Sequence, residues 1–203
     1  ASHSPLGDPS HYTCLGVLAG MRAALEFRLQ KDLSQARVAI QGLGHVGLAL
    51  AEQLIRNGAQ VWAADPNPQA CLAGQRLGVN IVAADELVQL KVDVYSPCAL
   101  GASITPQLIA GLNSFIVAGC ANNQLADESC GELLRQRNIL YVPDFLINAG
   151  GLMYAANAYR GIEREAIYQQ IEHIYFAALN LFLRADERQL PLDQVAIEQA
   201  EEI

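Results

Sequence analysis

The sequence predicts an α/β fold: a doubly wound, mainly parallel sheet of the Rossmann type, with helices on both faces and a helical C-terminal extension. Two observations support this fold class. Short apolar runs alternate with longer stretches of helical periodicity, which is the pattern of strand–helix units in a parallel sheet. A glycine-rich turn follows the first of these runs, where a dinucleotide-binding unit passes from strand to helix.

Six strands and the helices between them follow in order. The first helix is predicted from Tyr12 to Gln30, where apolar residues recur at helical spacing. The strands are predicted at Arg37–Gln41, Gln60–Ala64, Asn80–Ala83, Val92–Ser96, Phe115–Ala118 and Ile139–Val142. The helices that alternate with them are predicted at Val46–Asn57, Pro68–Leu77, Thr105–Leu112 and Glu128–Gln136. Gly58 and Gly78 are expected to end two of these helices.

The pattern changes after Gly151, where helices replace strand–helix units. Helices are predicted at Leu152–Tyr159 and Glu163–Leu183, and the acidic tail 192–203 is either a short helix or frayed. We therefore divide the chain into a leading segment with the first helix (1–31), a dinucleotide-binding domain (32–161) and a C-terminal helical extension (162–203).

Composition excludes several classes of partner. With 203 residues, of which 52% are hydrophobic, the chain is long enough to bury a core. Its net charge of −8, with no basic run, argues against a nucleic-acid partner. No apolar run reaches the roughly 18 residues of a membrane span, and five scattered cysteines fit a reducing, cytoplasmic setting. No metal site is expected.

The turn after the first strand, 42–47, has the pattern G-x-G-x-x-G. Gly42 permits a tight turn, Gly44 lets a pyrophosphate approach the backbone, and Gly47 lets the helix pack closely on the strand. The helix predicted to begin at Val46 presents free N–H groups to the phosphates, and His45 and Val46 are candidate cofactor-binding residues. Solvent exposure and phosphate contact both stay open for His45 itself.

An acidic residue, Asp65, follows the second strand, 23 residues after Gly42. Its carboxylate can accept hydrogen bonds from the adenosine ribose, and it would repel a 2′-phosphate. No arginine in 66–68 offsets that repulsion, so the sequence favours NAD over NADP. The alternative is that Asp65 only caps the next helix.

Three further segments stand at the carboxyl ends of predicted strands, at 96–101, 119–125 and 143–151. Their sequences are SPCALG, GCANNQL and PDFLINAGG. Together with the glycine loop, in this order, they resemble the leucine/phenylalanine/valine dehydrogenase branch of the glutamate dehydrogenase superfamily. The resemblance runs from about Pro9 to Gly161 and continues more loosely through the long helix that follows.

The resemblance implies a role for residues in each segment. The implied contacts with the nicotinamide half of NAD come from Thr13, Cys98, Ala99, Leu100, Ala121, Asn122 and Asn148. Asn148 would also touch the substrate carboxylate, and Leu152 and Ala155 would contact the substrate side chain. Without the resemblance, Leu152 and Ala155 are ordinary core residues, and the two asparagines are turn residues. Cys98 and Cys120 have no histidine in their segments, so we interpret them as packing residues rather than nucleophiles.

The resemblance implies reversible oxidative deamination of an L-amino acid to a 2-oxo acid and ammonia. In that family a lysine and an aspartate of an N-terminal substrate domain supply acid–base catalysis. This chain has two lysines, Lys31 and Lys91, and neither stands in a glycine-rich context. Ala1 in place of Met also indicates a processed, cloned or cleaved start.

We therefore expect a chain that binds NAD without turnover and whose catalytic lysine domain is absent. The small Ala155 favours a large or aromatic substrate. The resemblance implies a homo-oligomer for the full-length protein. The competing hypothesis is a free-standing NAD-binding module with a regulatory or redox-sensing role.

Overall fold

The six predicted strands form a single parallel sheet. The computed structural model describes residues 8–201, and the side chains of 8–198. The strands are β1 (Arg37–Gln41), β2 (Gln60–Ala64), β3 (Asn80–Ile81), β4 (Val92–Pro97), β5 (Ser114–Val117) and β6 (Leu140–Tyr141). Their order is β3-β2-β1-β4-β5-β6, with every pairing parallel. This is the strand order of dinucleotide-binding folds, and the predicted fold class is confirmed.

Ten helices flank the strands or follow them within the described residues. They are α1 (Ser10–Leu29), α2 (His45–Arg56), α3 (Pro68–Leu77), α4 (Ala84–Gln89), α5 (Pro106–Gly111), α6 (Ser129–Gln136), α7 (Asp144–Ile147), α8 (Gly150–Tyr159), α9 (Arg164–Arg188) and α10 (Leu192–Glu201). None of them is long and apolar enough to cross a membrane. The predicted bounds of β1, β2 and α3 agree residue for residue. Those of β4, β5, β6 and the other predicted helices differ at their ends, and β6 is two residues shorter at Leu140–Tyr141 than the predicted Ile139–Val142.

Two features between β3 and β4 differ from the prediction. The strand predicted at Asn80–Ala83 ends at Ile81, because β3 is an edge strand that pairs with β2 over two residues only. Ala83 already precedes the first residue of α4, a helix that the sequence analysis did not predict. The helix α7 was also missed, since four residues are too few to show helical periodicity.

The strands alternate their side chains between two apolar layers, as the pleat of a sheet requires. Val38 and Ile40 of β1 pack into one core with α1, α2 and α9, whereas Ala39 between them packs into a second core. That second core also contains Leu87 of α4 and Ile109 of α5. The sheet is therefore covered on both faces, which explains why its central strands are buried almost completely.

The first helix packs so closely on the chain after β6 that several of its contacts admit no side chain. A Cβ atom on Gly16 would lie 2.5 Å from the carbonyl oxygen of Ile147, and one on Gly20 would lie 2.2 Å from Cγ2 of the same residue. Similarly, a Cβ on Gly150 would lie 2.1 Å from the carbonyl oxygen of Tyr12. These approaches bring α1 against the start of α8.

The helices at the C-terminus continue the core rather than standing apart from it. Ile167, Ile171 and Ile174 of α9 are buried in the same cluster as Val17 of α1. Beyond α9, α10 folds back, and Val195 packs with residues of α9 in a small separate cluster. The N-terminal and C-terminal parts of the chain thus stabilise each other on one face of the sheet.

One buried ion pair lies at the amino end of β4. The Asp93 carboxylate is 5% exposed and accepts a hydrogen bond from Lys31 Nζ at 2.8 Å. Its other oxygen accepts from the backbone N–H of Arg37 at 2.8 Å. The pair therefore joins the segment after α1 to the amino ends of two central strands.

We predict that Lys31→Met destabilises the chain, because it leaves a buried carboxylate without its cation. Since Lys31 is partly exposed and water screens the pair, the expected loss is about 2 kcal/mol in the free energy of unfolding. Urea denaturation at neutral pH measures it. The control is Lys91→Met, which removes the exposed lysine just ahead of the same strand. Equal stabilities of the two variants would contradict the prediction.

Candidate functional site

The candidate site lies at the carboxyl ends of β1 and β4, where the strand order reverses. The chain leaves β1 for β2 on one side, and β4 pairs with β1 on the other side. Such a reversal opens a crevice above the strand ends, and ligands of open α/β sheets bind there. All four sequence segments singled out above reach this edge of the sheet.

The glycine loop between β1 and α2 is shaped by contacts that exclude side chains. Gly42 has a φ of +100° and packs against Ala99, whose Cβ would be 2.8 Å from a Cβ at Gly42. A Cβ on Gly47 would lie 2.1 Å from the Gly42 carbonyl oxygen. Gly44 differs, because it is exposed and a Cβ there would meet nothing within 4 Å. The loop is therefore tightly packed at Gly42 and Gly47 and open at Gly44.

The helix α2 begins at His45, directly after Gly44. His45 is exposed and Val46 is half-buried against the core. No side chain caps this end of the helix, so N–H groups of the first turn point towards the crevice without a side-chain acceptor. Such a helix end is a favourable place for an anion.

Asp65 stands at the end of β2 and holds the glycine loop from the side. One carboxylate oxygen accepts from the Leu43 N–H at 2.6 Å, and the other accepts from the Asn67 N–H at 2.7 Å. The N-cap of α3 is Asn67, whose side chain accepts from Gln69. Asp65 is therefore not the helix cap that the alternative interpretation required.

The loops after β4 and β5 pack against each other. A Cβ on Gly101 would lie 2.6 Å from the Asn122 carbonyl oxygen, and the Ala102 N–H donates to the Asn123 carbonyl at 2.6 Å. Within these loops Cys98 is partly buried, Ala121 is buried, and Leu100 is 82% exposed. The two loops form one wall of the crevice.

The structure brings the two predicted asparagines into contact. Asn148 Nδ2 donates to Asn122 Oδ1 at 2.6 Å, which joins the loop after β5 to the segment after β6. Thr13 of α1 lies against Gly151, three residues after Asn148, because a Cβ on Gly151 would be 2.4 Å from the Thr13 Oγ1 atom. Two polar side chains from different loops thus meet at one end of the crevice, and α1 packs on the start of α8 through Thr13 and Gly151.

Leu152 and Ala155 lie on the first turns of α8, just beyond this polar group. Leu152 is 75% exposed and Ala155 is half-buried. The exposed Leu152 is therefore not the core residue that the alternative interpretation described.

Two buried polar residues that the sequence analysis did not single out support Asn122. The Gln124 amide donates to the Gly119 and Ala121 carbonyls, at 2.8 and 3.0 Å, and thereby closes the loop that carries Asn122. The Asp144 carboxylate accepts from the Gln124 N–H at 3.2 Å. Both residues lie inside the sequence segments quoted above. A polar side chain close to a buried strand was the feature of the sequence that could have singled them out.

The two lysines lie far from Asn122 and Asn148 in the fold. Lys31 is bonded to Asp93 near the amino end of β4, and Lys91 immediately precedes that strand. The crevice lies at the opposite, carboxyl ends of the strands. Neither lysine is therefore placed to act on a ligand beside Asn148.

The chain matches known amino-acid dehydrogenases over nearly its whole length. Residues 7–67 and 69–189 match the model of the glutamate/leucine/phenylalanine/valine dehydrogenase family. The chain is 38% identical over 199 residues to an L-tryptophan dehydrogenase of Nostoc punctiforme, covering 97% of this chain and 56% of that protein. It is also 38% identical over 198 residues to a leucine dehydrogenase of Thermoactinomyces intermedius, covering 97% and 54%. The chain thus spans about half the length of these relatives.

Solved structures agree with this match. The crystal structure of L-tryptophan dehydrogenase from Nostoc punctiforme superposes with a TM-score of 0.92 over 97% of this chain and 61% of that one, at 38% identity. A hetero-hexameric glutamate dehydrogenase from Thermus thermophilus, at 24% identity, shares the fold with a TM-score of 0.74 over 95% of this chain and 52% of that one. On these grounds the chain belongs to the glutamate/leucine/phenylalanine/valine dehydrogenase family.

Proposed function

We propose that this chain is the NAD-binding portion of an amino-acid dehydrogenase that oxidatively deaminates a branched-chain or aromatic L-amino acid. The observation that carries the proposal is the crevice itself. It has an open glycine and an uncapped helix end beside Asp65 at one end, and the bonded pair Asn122–Asn148 at the other. An extended ligand with an anionic middle fits this arrangement.

The residues present fit a dinucleotide. The first turn of α2 would donate to the pyrophosphate, which the open space at Gly44 admits. Asp65 would accept hydrogen bonds from the adenosine ribose, because its two oxygens each hold only one backbone donor. At the other end, Thr13, Cys98, Ala99, Leu100, Ala121 and Asn122 would surround the nicotinamide and its ribose. When bound, NAD would accept a hydride from the substrate α-carbon.

The carboxylate of Asp65 also favours NAD over NADP. A 2′-phosphate on the adenosine ribose would lie against this negative charge, and no arginine in 66–68 compensates for it. Like charges at such close range repel strongly in a partly buried site.

The substrate would be held at the asparagine end of the crevice. Asn148 would donate to the substrate carboxylate, and its bond to Asn122 fixes the direction of its amide. Leu152 and Ala155 would contact the substrate side chain. Because Ala155 is small, it leaves room for a large or aromatic side chain.

Turnover would need groups that this chain does not supply. Deamination requires an acid–base group and a cation beside the reacting carbon, and both lysines lie at the other end of the sheet. We propose that an N-terminal substrate domain provides them in a longer, homo-oligomeric protein. The chain alone then binds NAD and holds it ready, without catalysis.

Gly44 and Gly47 give a test that separates cofactor binding from folding. Gly44→Ala should weaken NAD binding at least about tenfold, because a methyl group fills the phosphate approach, while stability changes by at most about 1 kcal/mol. Gly47→Ala should instead lower the free energy of unfolding by about 3 kcal/mol, since its Cβ overlaps the Gly42 carbonyl.

Calorimetric titration and urea denaturation measure the two effects. Gly111→Ala serves as the control, because a Cβ there makes an ordinary 3.5 Å contact with Val88. If Gly44→Ala bound NAD as tightly as this control, the phosphate would not lie at Gly44.

Asp65→Asn should weaken NAD binding about tenfold through the loss of a charged acceptor. The same change should weaken NADP binding less, or strengthen it, since the repulsion of the 2′-phosphate disappears. Titration of both dinucleotides gives the ratio of dissociation constants. Asp85→Asn, an exposed acid on α4, is the matched control. An unchanged NAD/NADP ratio in Asp65→Asn would refute the assignment of the ribose.

The isolated chain should produce no NADH from L-leucine, L-phenylalanine or L-tryptophan, even at NAD concentrations that saturate it. The absorbance of NADH over time measures this, on the same preparation whose NAD binding has been titrated. Turnover by the chain alone that disappears in Asn148→Ala would show that catalysis does not require a second domain.

A further inference from the structure

Two cysteines face each other at the edge of the crevice. Cys98 and Cys120 are each the third residue after Tyr95 and Val117, which are register partners on the adjacent strands β4 and β5. Both cysteines lie just beyond the paired strands, where the Ala121 N–H donates to the Pro97 carbonyl at 3.0 Å and holds the two loops side by side. The Cys120 sulfur lies 4.0 Å from the Cys98 carbonyl oxygen. The Cys120 thiol thus lies against Cys98, and both cysteines are free.

The surroundings of Cys98 favour its thiolate form. A Cβ on Gly47 would be 3.3 Å from the Cys98 Cβ, so this cysteine lies against the first turn of α2. The positive end of a helix stabilises a thiolate. The Ser96 hydroxyl lies 3.4 Å from the Cys98 sulfur. Hydrogen bonding from Cys120 and from Ser96 lowers the pKa of the Cys98 thiol.

The other three cysteines are placed differently. Cys14 and Cys130 are completely buried, and burial raises the pKa of Cys14 to about 12. Cys71 is partly exposed, but it lies on α3 and contacts the Asp65 carbonyl. Cys98 and Cys120 are both partly exposed. They alone combine mutual contact with access to a small oxidant.

We propose that Cys98 and Cys120 form a modification site at which hydrogen peroxide links the two thiols as a disulfide. The Cys98 thiol first loses its proton; the thiolate attacks one peroxide oxygen, the O–O bond breaks, Cys98 becomes a sulfenic acid, and the departing hydroxide takes up that proton as the first water. The Cys120 sulfur then displaces the sulfenic oxygen as a second water, and its proton goes to that oxygen. Two thiols lose two electrons, and one peroxide becomes two waters.

The link would alter the cofactor crevice, a consequence that rests on the proposed function. Cys98 precedes Ala99, which packs on Gly42, and Cys120 precedes Ala121 and Asn122. A disulfide would tie the two loops of this wall together in one arrangement, and we expect NAD to bind that arrangement more weakly. By linkage, a state that binds NAD poorly is also disfavoured when NAD is bound. NAD at about ten times its dissociation constant should then slow disulfide formation about elevenfold.

The experiment treats the reduced chain with hydrogen peroxide and maps disulfides by mass spectrometry without reduction. Since 92–135 contains no internal lysine or arginine before its last residue, trypsin leaves Cys98, Cys120 and Cys130 in one peptide. A second digestion with chymotrypsin, which cuts at Phe115 and Leu125, separates them. The expected product joins Cys98 to Cys120, with the loss of two of the five free thiols.

Two variants test whether the disulfide is specific to Cys98 and Cys120. Cys71→Ala should still form the link, and Cys120→Ala should leave a sulfenic acid on Cys98 that dimedone traps. A link from Cys98 to Cys14, or oxidation without any link in the unsubstituted chain, would overturn the proposal. The link in the absence of NAD does not depend on the proposed function. A formed link that saturating NAD fails to slow would overturn only the coupling to the crevice, whereas failure to bind NAD would be seen by calorimetry and would count against the proposed function.

Discussion

The contact between Gly47 and the carbonyl oxygen of Gly42 is the constraint on which the crevice depends. It sets α2 directly on the turn after β1, at a distance that any side chain would prevent. Because α2 begins so close to the turn after β1, the N–H groups of its first turn lie next to the carboxyl ends of the strands. Ala99 fills the space on the other side of Gly42, so the loop after β4 takes its position from the same turn. Asp65 then holds the turn from β2 through the Leu43 N–H.

A second set of close approaches determines the opposite end of the crevice. Gly16 and Gly20 allow α1 to lie on the segment around Ile147, and Gly150 allows α8 to begin against the backbone of Tyr12. Thr13 of α1 reaches Gly151 of α8 only because these helices nearly touch. The buried apolar residues of α9 stabilise α1 from the other side. The helix that precedes the sheet and the long helix that follows it therefore act together to complete the site.

The sequence predicted best what local chemistry determines. The bounds of α3 were predicted correctly because Asn67 and Pro68 begin the helix and Gly78 ends it with a φ of +99°. The end of β3 was predicted incorrectly. An edge strand has one neighbour only, and the length over which the two pair is not visible in the local sequence. The Asn122–Asn148 hydrogen bond joins residues 26 apart in the sequence, and it exists because β5 and β6 are adjacent. Periodicity carries no information on such a contact, and only the family resemblance singled out both residues.

The distribution of polar and apolar groups supports the proposal that this chain binds the cofactor while a second domain completes the substrate site. The polar contacts proposed for the dinucleotide come from backbone or from side chains that this chain already holds in place, such as Asp65 and Asn148. The apolar side chains near the asparagine pair are instead left in water, with Leu100 82% and Leu152 75% exposed. Burying a leucine side chain is worth about 2 kcal/mol. Whatever covers these two leucines therefore gains enough free energy to influence which substrate side chain binds, and specificity would depend on both surfaces of the closed crevice.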